Sequence, residues 1–103
     1  MKHAPCPIDL SVMQAALKDY RHGLGKEAKS HHYVNEVRLI NFAVTGSSHG
    51  CYRNLPISRK LSRTIRRVVC RNTKLIKLDV KYPDRKKSCR DYFLKATSVA
   101  SQN

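Results

Sequence analysis

Acidic residues are scarce in this chain. It has seven Asp and Glu residues against 21 Lys and Arg residues, which gives a formal net charge of +14 at pH 7. No two carboxylates recur at a spacing typical of an acid–base pair or a metal site, so the sequence argues against hydrolytic or metal-dependent catalysis. In a compact domain with this surplus, the positive charges repel one another. We therefore expect its partner to be a polyanion or an acidic protein surface.

Long apolar runs are missing as well. No stretch of the sequence approaches the roughly 18 residues that a membrane-spanning helix requires. The first seven residues lack the continuous apolar segment of a secretory signal. We therefore expect a cytoplasmic protein with no membrane partner, in which the cysteines stay reduced.

No Cys-x-x-Cys or His-x-x-x-His spacing occurs, and the adjacent His31 and His32 are interpreted as a surface pair before a helix. The four cysteines, at positions 6, 51, 70 and 89, lie far apart, whereas zinc sites usually contain a Cys-x-x-Cys or a similar His pair. His49 and Cys51 come nearest to a metal-binding or nucleophile–base pair, and no third group accompanies them. The sequence predicts no metal, no cofactor, no small-molecule substrate and no enzymatic activity.

Hydrophobic residues are nevertheless sufficient for a core, at 41% of the chain. Tryptophan is absent and only five Tyr and two Phe occur, so the core must be mainly aliphatic. A chain of 103 residues forms one ordinary domain. We expect a single helical domain over residues 1–103, with residues 1–7 as a flexible arm and residues 101–103 as a frayed tail.

Two helices are predicted in the first half of the chain. Leu10, Met13, Leu17, Tyr20 and Leu24 recur at helical spacing, after Pro7 and Asp9 at the start and with glycines at 23 and 25 at the end. A second helix, which Ser30 would cap and Gly46 would end, carries Tyr33, Val37, Ile40 and Val44 on one face. Glu36 and Arg38 are expected to point away from that face. Residues 51–55 could form a short extended segment.

The third predicted helix, residues 57–77, is strongly basic. Its apolar face would consist of Ile57, Leu61, Ile65, Val68, Asn72 and Leu75. Basic residues recur every three or four positions around most of the remaining surface, which favours helix, although the β-branched residues at 68 and 69 are also compatible with a strand. Residues 75–80 are ambiguous between an extension of this helix and a short strand.

A fourth helix is expected to start near Pro83. Cys89, Tyr92, Phe93, Ala96, Val99 and Ala100 form its apolar stripe, and its basic residues are expected to face the other way. Cys70 and Cys89 are expected to be small buried thiols. The fold class is therefore all-α, a small bundle of about four helices with one strongly basic helix.

The basic helix, supported by the fourth, is the candidate binding surface. Arg at helical spacing can meet successive phosphates along a nucleic-acid backbone. The candidate binding residues are Arg59, Lys60, Arg63, Arg66, Arg67, Arg71, Lys74, Lys77, Arg85, Lys86, Lys87 and Arg90. A helix–turn–helix made from the second and third helices is conceivable, with Asn72 and Thr64 as base readers. Its connection is too long for the compact motif, and contact with the phosphate backbone is favoured over sequence readout.

Two segments carry a resemblance to known proteins. Residues 34–46, Val-Asn-Glu-Val-Arg-Leu-Ile-Asn-Phe-Ala-Val-Thr-Gly, resemble a helix of short accessory proteins of lambda-like bacteriophages, and residues 81–86, Lys-Tyr-Pro-Asp-Arg-Lys, are similar to a turn and basic helix in such proteins. The resemblance implies a regulatory protein in the bacterial host cytoplasm. It also implies engagement of nucleic-acid machinery, for example modulation of the host RecBCD recombination nuclease.

Two functional hypotheses follow. In the first, a non-enzymatic phage-type accessory protein binds nucleic acid, DNA or RNA, mainly through the phosphate backbone. In the second, the same basic face and the Arg85–Arg90 cluster of the fourth helix dock on an acidic patch of a host DNA-processing enzyme, such as the RecBCD nuclease, and the protein acts as an inhibitor or modulator of DNA recombination.

Overall fold

Four α-helices and one short 3-10 turn make up the fold. The computed structural model describes residues 8–47, 49–56 and 58–102, with side chains described as far as Thr97. The helices are α1 (Ser11–Gly23), α2 (Ser30–Thr45), α3 (Arg59–Lys77) and α4 (Tyr82–Gln102), with the 3-10 turn at Tyr52–Asn54. No strand occurs within those residues, so the predicted all-α bundle with one basic helix is confirmed.

The helix boundaries differ from the predicted ones in places. The strand alternatives at residues 68–70 and 75–80 are wrong, because α3 continues to Lys77 and ends in a turn. Residues 52–54 form a 3-10 turn instead of an extended segment. Helix α4 is helical through Gln102, so it includes part of the expected tail. The predicted arm at residues 1–7, the place of Ile57 on α3 and the last residue, Asn103, lie outside the described residues.

Sequence signals explain where the helices begin and end. The Ser58 hydroxyl accepts a hydrogen bond from the Leu61 amide at 3.1 Å and caps α3. Gly46 ends α2 with a φ of 79°, the left-handed conformation that favours glycine. Asp79 adopts a φ of 62° in the turn between α3 and α4, and the Tyr20 hydroxyl of α1 donates a hydrogen bond to its carboxylate.

The core is mainly aliphatic, and all four helices contribute to it. Its fully buried residues include Met13 from α1, Leu39 and Ile40 from α2, Ile65, Val68 and Ile76 from α3, and Cys89 from α4. Helix α2 packs chiefly on α4, and α3 packs on α1 and α4. Because α2 and α3 touch little and residues 46–58 separate them, the conceivable compact helix–turn–helix does not form.

A buried polar network lies among α2, α3 and α4. The Arg85 guanidinium forms an ion pair with Glu36 and donates to Asn72 Oδ1 at 3.1 Å. Asn72 Nδ2 donates in turn to Glu36 Oε1 at 2.9 Å. The expectation that Glu36 points away from the core is therefore wrong. Together Glu36, Asn72 and Arg85, the buried network, satisfy one another away from water, and no buried polar side-chain atom of the described residues lacks a partner.

We expect the substitution Arg85→Met to lower the free energy of unfolding by about 3–5 kcal/mol, because it leaves the Glu36 carboxylate buried without a partner. Converting the whole buried network to apolar residues, with Glu36→Leu, Asn72→Leu and Arg85→Met together, should recover most of that loss. Chemical denaturation followed by circular dichroism measures both effects. Arg59→Met, on the exposed side of α3, is the control and should change stability by less than about 0.5 kcal/mol. A loss of that small size in Arg85→Met would contradict the prediction.

The first turn of α2 contains a histidine cap. The predicted cap, Ser30, is instead the first helical residue, and the Lys29 amide donates to His32 Nδ1 at 2.9 Å. This bond requires a neutral imidazole. Desolvation, followed by the charges of Arg21, His31 and Lys29, lowers the pKa of His32 below its usual 6.5.

Because the folded pKa of His32 is depressed, the unfolded chain takes up its proton first as the pH falls. We expect its contribution to stability to be complete above pH 6.5 and to decline below that value. The variant His32→Gln keeps a side-chain acceptor at the same helical position without a titrating group, so its melting temperature should depend less on pH between 5 and 7. His31→Gln serves as the control on the same turn, and an equal flattening in both variants would contradict the assignment.

Candidate functional site

The exposed side of α3 is almost entirely basic. Helix α3 contains no acidic residue, and eight cations lie on its solvent-facing arc. These residues, called here the α3 stripe, are Arg59, Lys60, Arg63, Arg66, Arg67, Arg71, Lys74 and Lys77, all of which are exposed. The structure brings together every predicted site residue of this helix on one surface.

The stripe is not neutralised within the described part of the chain. Ion pairs there are limited to Lys81 with Asp79 and Arg85 with Glu36. The eight cations of the stripe therefore lack carboxylate partners among the described residues, and their charges face solvent.

The four predicted site residues of α4 have four different surroundings. Arg85 is only 7% exposed and belongs to the buried network. Lys86 lies over the Phe42 ring of α2, with its Nζ 4.5 Å from the ring centroid. Arg90 Nη1 donates to the carbonyl of Ala43 at 3.1 Å, at the carboxyl end of α2. Lys87 is exposed beside α3.

The predicted solvent-facing cluster at residues 85–90 is thus corrected for Arg85, Lys86 and Arg90. The guanidinium of Arg90 supplies a positive charge where the dipole of α2 is negative, a role that no basic residue of α2's own last turn fills. It also lies against Gly46, where an added Cβ would approach Arg90 Nη2 to 2.7 Å. These cations hold α4 on α2 and do not extend the α3 stripe.

The two predicted base readers are not available either. Asn72 is 0% exposed and fully engaged in the buried network. Thr64 is half-buried, and its hydroxyl donates to the Lys60 carbonyl at 3.0 Å. The interpretation of Asn72 as a base reader is therefore wrong, and the exposed arc of α3 carries no Asn or Gln.

A groove separates α3 from α4. This α4 groove has a volume of about 420 Å³ and is lined by Arg71 from α3 and by Asp84, Lys87, Ser88, Asp91, Tyr92 and Lys95 from α4. Arg71 Nε donates to Ser88 Oγ at 3.1 Å, and its guanidinium carbon lies 5.3 Å from the centroid of the Tyr92 ring. Sequence reasoning missed all of these except Arg71 and Lys87, although positions 84, 88, 91 and 95 recur on one helical face.

A second groove borders the opposite side of the stripe. It lies between α1 and α3 and has a volume of about 580 Å³, and its lining includes Asp9, Val12, Val69, Cys70 and Thr73. Arg66, Lys74 and Lys77 of the stripe stand at its rim. The α3 stripe is therefore a basic ridge between two grooves.

The cysteines differ in environment. Cys70 lies exposed within the stripe, so the prediction that it is buried is wrong, whereas Cys89 is fully buried as predicted. Burial raises the pKa of the Cys89 thiol to about 11. No three His, Cys, Asp or Glu side chains of the described residues lie close enough together to share a metal ion.

We expect iodoacetamide to modify Cys70 at near-neutral pH at least about 100-fold faster than Cys89. An increase of the Cys89 pKa from 9.0 to about 11 reduces its thiolate by about that factor, and burial blocks access as well. Peptide mass spectrometry after timed alkylation gives both rates. Equal rates in the folded protein would contradict this assignment, and equal rates after denaturation are the control.

Comparisons with known proteins identify no relative. No family model, no curated protein and no solved structure matches the chain. Within the described residues, none of the helices is both long and apolar enough to cross a bilayer.

Proposed function

We propose that this protein is a non-enzymatic nucleic-acid-binding protein whose α3 stripe contacts the phosphate backbone. One observation carries the proposal. Eight basic side chains occupy a single exposed arc of a helix without acidic residues, and none of them has a carboxylate partner among the described residues.

The dimensions of the stripe suit a phosphate backbone. With 19 residues, α3 is about 28 Å long, which corresponds to about eight nucleotide steps at 3.4 Å per strand. Its guanidinium groups present paired donors that match phosphate oxygens. Each phosphate neutralised releases condensed counterions, and the energy of binding would come largely from that release.

The composition of the stripe favours nucleic acid over an acidic protein. Protein–protein interfaces usually centre on buried aromatic and large apolar residues. The stripe has no such residue, and Cys70 is the only uncharged residue among the exposed ones of α3. Because base-reading amides are absent from the same arc, we infer that the contacts of the stripe itself depend little on sequence.

The phage-type regulatory role belongs to this proposal. A protein that coats phosphates in the bacterial cytoplasm would limit the access of host recombination nucleases to their substrate. No docking on such an enzyme is needed for this effect. Direct binding to an acidic host protein is the outcome that the following experiment would reveal as the alternative.

We expect the double variant Arg63→Gln and Arg67→Gln to bind duplex DNA at least tenfold more weakly and to reduce the slope of log affinity against log salt by about two, because each lost phosphate contact removes about one released counterion. Fluorescence anisotropy over a salt series measures both quantities. Cys70 should also become slower to alkylate in the complex, since it lies within the stripe.

The matched control is Lys18→Gln with Arg38→Gln, which removes the same charge from exposed positions of α1 and α2. If the two double variants weaken binding equally, net charge and not the stripe is responsible. If the wild-type protein binds no oligonucleotide but captures a stoichiometric protein from nuclease-treated bacterial lysate, the proposal is wrong and the acidic-protein hypothesis takes its place.

A further inference from the structure

The α4 groove adjoins the stripe but differs from it in chemistry. Arg71 belongs to both surfaces, while Asp84 and Asp91 place two carboxylates along the groove wall. Neither carboxylate forms an ion pair within the described residues. Arg71, Lys87 and Lys95 line the groove as well, so it combines cations that can contact phosphates with carboxylates that can accept hydrogen bonds from an uncharged group.

The groove also contains a stacking surface. The Arg71 guanidinium lies over the Tyr92 ring and is held in place by its hydrogen bond to Ser88. Guanidinium planes and aromatic rings are the surfaces on which unpaired bases stack in proteins that bind single strands. The volume of about 420 Å³ lies within the usual range of small-ligand pockets, roughly 300–1,000 Å³.

We propose that the α4 groove binds one unpaired nucleobase with an exocyclic amino group, on a single strand whose backbone follows the α3 stripe. This inference rests on the proposed function. The base stacks on the Arg71–Tyr92 pair, and the amino group donates to the carboxylate of Asp91, with Asp84, two helical turns earlier on α4, as the alternative acceptor. The amino group of cytosine is a known partner of Asp and Glu carboxylates.

Asp91 is the better placed of the two acceptors. It is adjacent to Tyr92 in sequence and lies one helical turn from both Lys87 and Lys95, near the middle of the groove wall. Those lysines can hold the phosphates on either side of the bound base. Asp84 lies in the first turn of α4, where a negative charge also favours the helix dipole.

The test compares oligo(dC), oligo(dU) and a mixed-sequence duplex, each of about 16 nucleotides, by fluorescence anisotropy at near-neutral pH. Cytosine and uracil differ in the group at position 4, where only cytosine has an amino donor. We expect the wild-type protein to prefer oligo(dC) over oligo(dU) by about five- to tenfold. The double variant Asp84→Ala with Asp91→Ala should reduce that preference to less than about twofold.

Electrostatics alone predicts a different result, since removing two negative charges would strengthen binding to both oligomers equally and leave their ratio unchanged. The charge-matched control, Asp19→Ala with Glu27→Ala, alters exposed positions outside the groove and should preserve the preference. A wild-type ratio near one, or a ratio that the groove variant does not change, would overturn the inference.

Stacking is tested separately. Tyr92→Leu should weaken oligo(dC) binding at least fivefold while leaving duplex binding within twofold, and Tyr92→Phe should retain both. Circular dichroism spectra establish that each variant is folded, and Tyr92→Phe keeps the ring if the leucine variant unfolds. Binding of all three oligomers without base preference would refute only the groove assignment, whereas binding of none would refute the proposed function itself.

Discussion

The ion pair between Glu36 and Arg85, with Asn72 bridging both partners, constrains which side of α3 faces solvent. It ties α2, α3 and α4 together at one point inside the core. Asn72 and Arg63 are nine residues apart, two and a half helical turns, so they lie on opposite sides of α3. The buried position of Asn72 therefore keeps the α3 stripe exposed to solvent. An apolar core alone tolerates small rotations of a helix, whereas a buried polar network loses its hydrogen bonds when the helix turns.

Eleven of the twelve predicted binding residues fall into two groups with different roles. Arg85, Lys86 and Arg90 contact a carboxylate, an aromatic ring and the carboxyl end of a helix, respectively. They stabilise the packing of α4 on α2. Of the eight cations of α3, Arg71 contacts Ser88 and the Tyr92 ring, but none forms an ion pair among the described residues, so their mutual repulsion remains in the free protein. That repulsion is relieved when phosphates are present, which links the unusual composition to the proposed binding of nucleic acid.

The α3 stripe lies between two grooves that differ in chemistry. On one side lies the α4 groove, where an aromatic ring, a guanidinium and two carboxylates stand together. On the other side lies a groove to which Val12 of α1 and Val69 of α3 contribute apolar surface. A bare basic helix would hold any polyanion in many orientations. In the proposed complex, the groove beside Arg71 offers a position at which one nucleotide differs energetically from its neighbours, so single strands and duplexes are not equivalent ligands under this proposal.

Much of this arrangement could be predicted from periodicity and charge. The apolar spacing in α1, the glycine that ends α2 and the basic repeat of α3 were sufficient to identify the helices and to place the stripe on the exposed side. The sequence analysis wrongly assigned Glu36 and Arg85 to the solvent-facing sides of their helices. Glu36 lies at helical spacing from Tyr33 and Ile40. Arg85 lies at the same kind of spacing from Cys89 and Phe93. A charged residue at such a position is ordinarily assigned to solvent, because burying it alone is very costly.

The sequence by itself determined the helices, the excess of positive charge and the residues of α3 that share one face. Only the tertiary structure decided which cations remain free, because a buried charge is tolerable only if its partner arrives from another helix. Arg85 contacts Glu36, which lies 49 residues earlier in the chain. The local spacing of residues does not predict such a long-range contact. The same holds for the α4 groove, whose Arg71 and Tyr92 become neighbours only when α3 packs against α4.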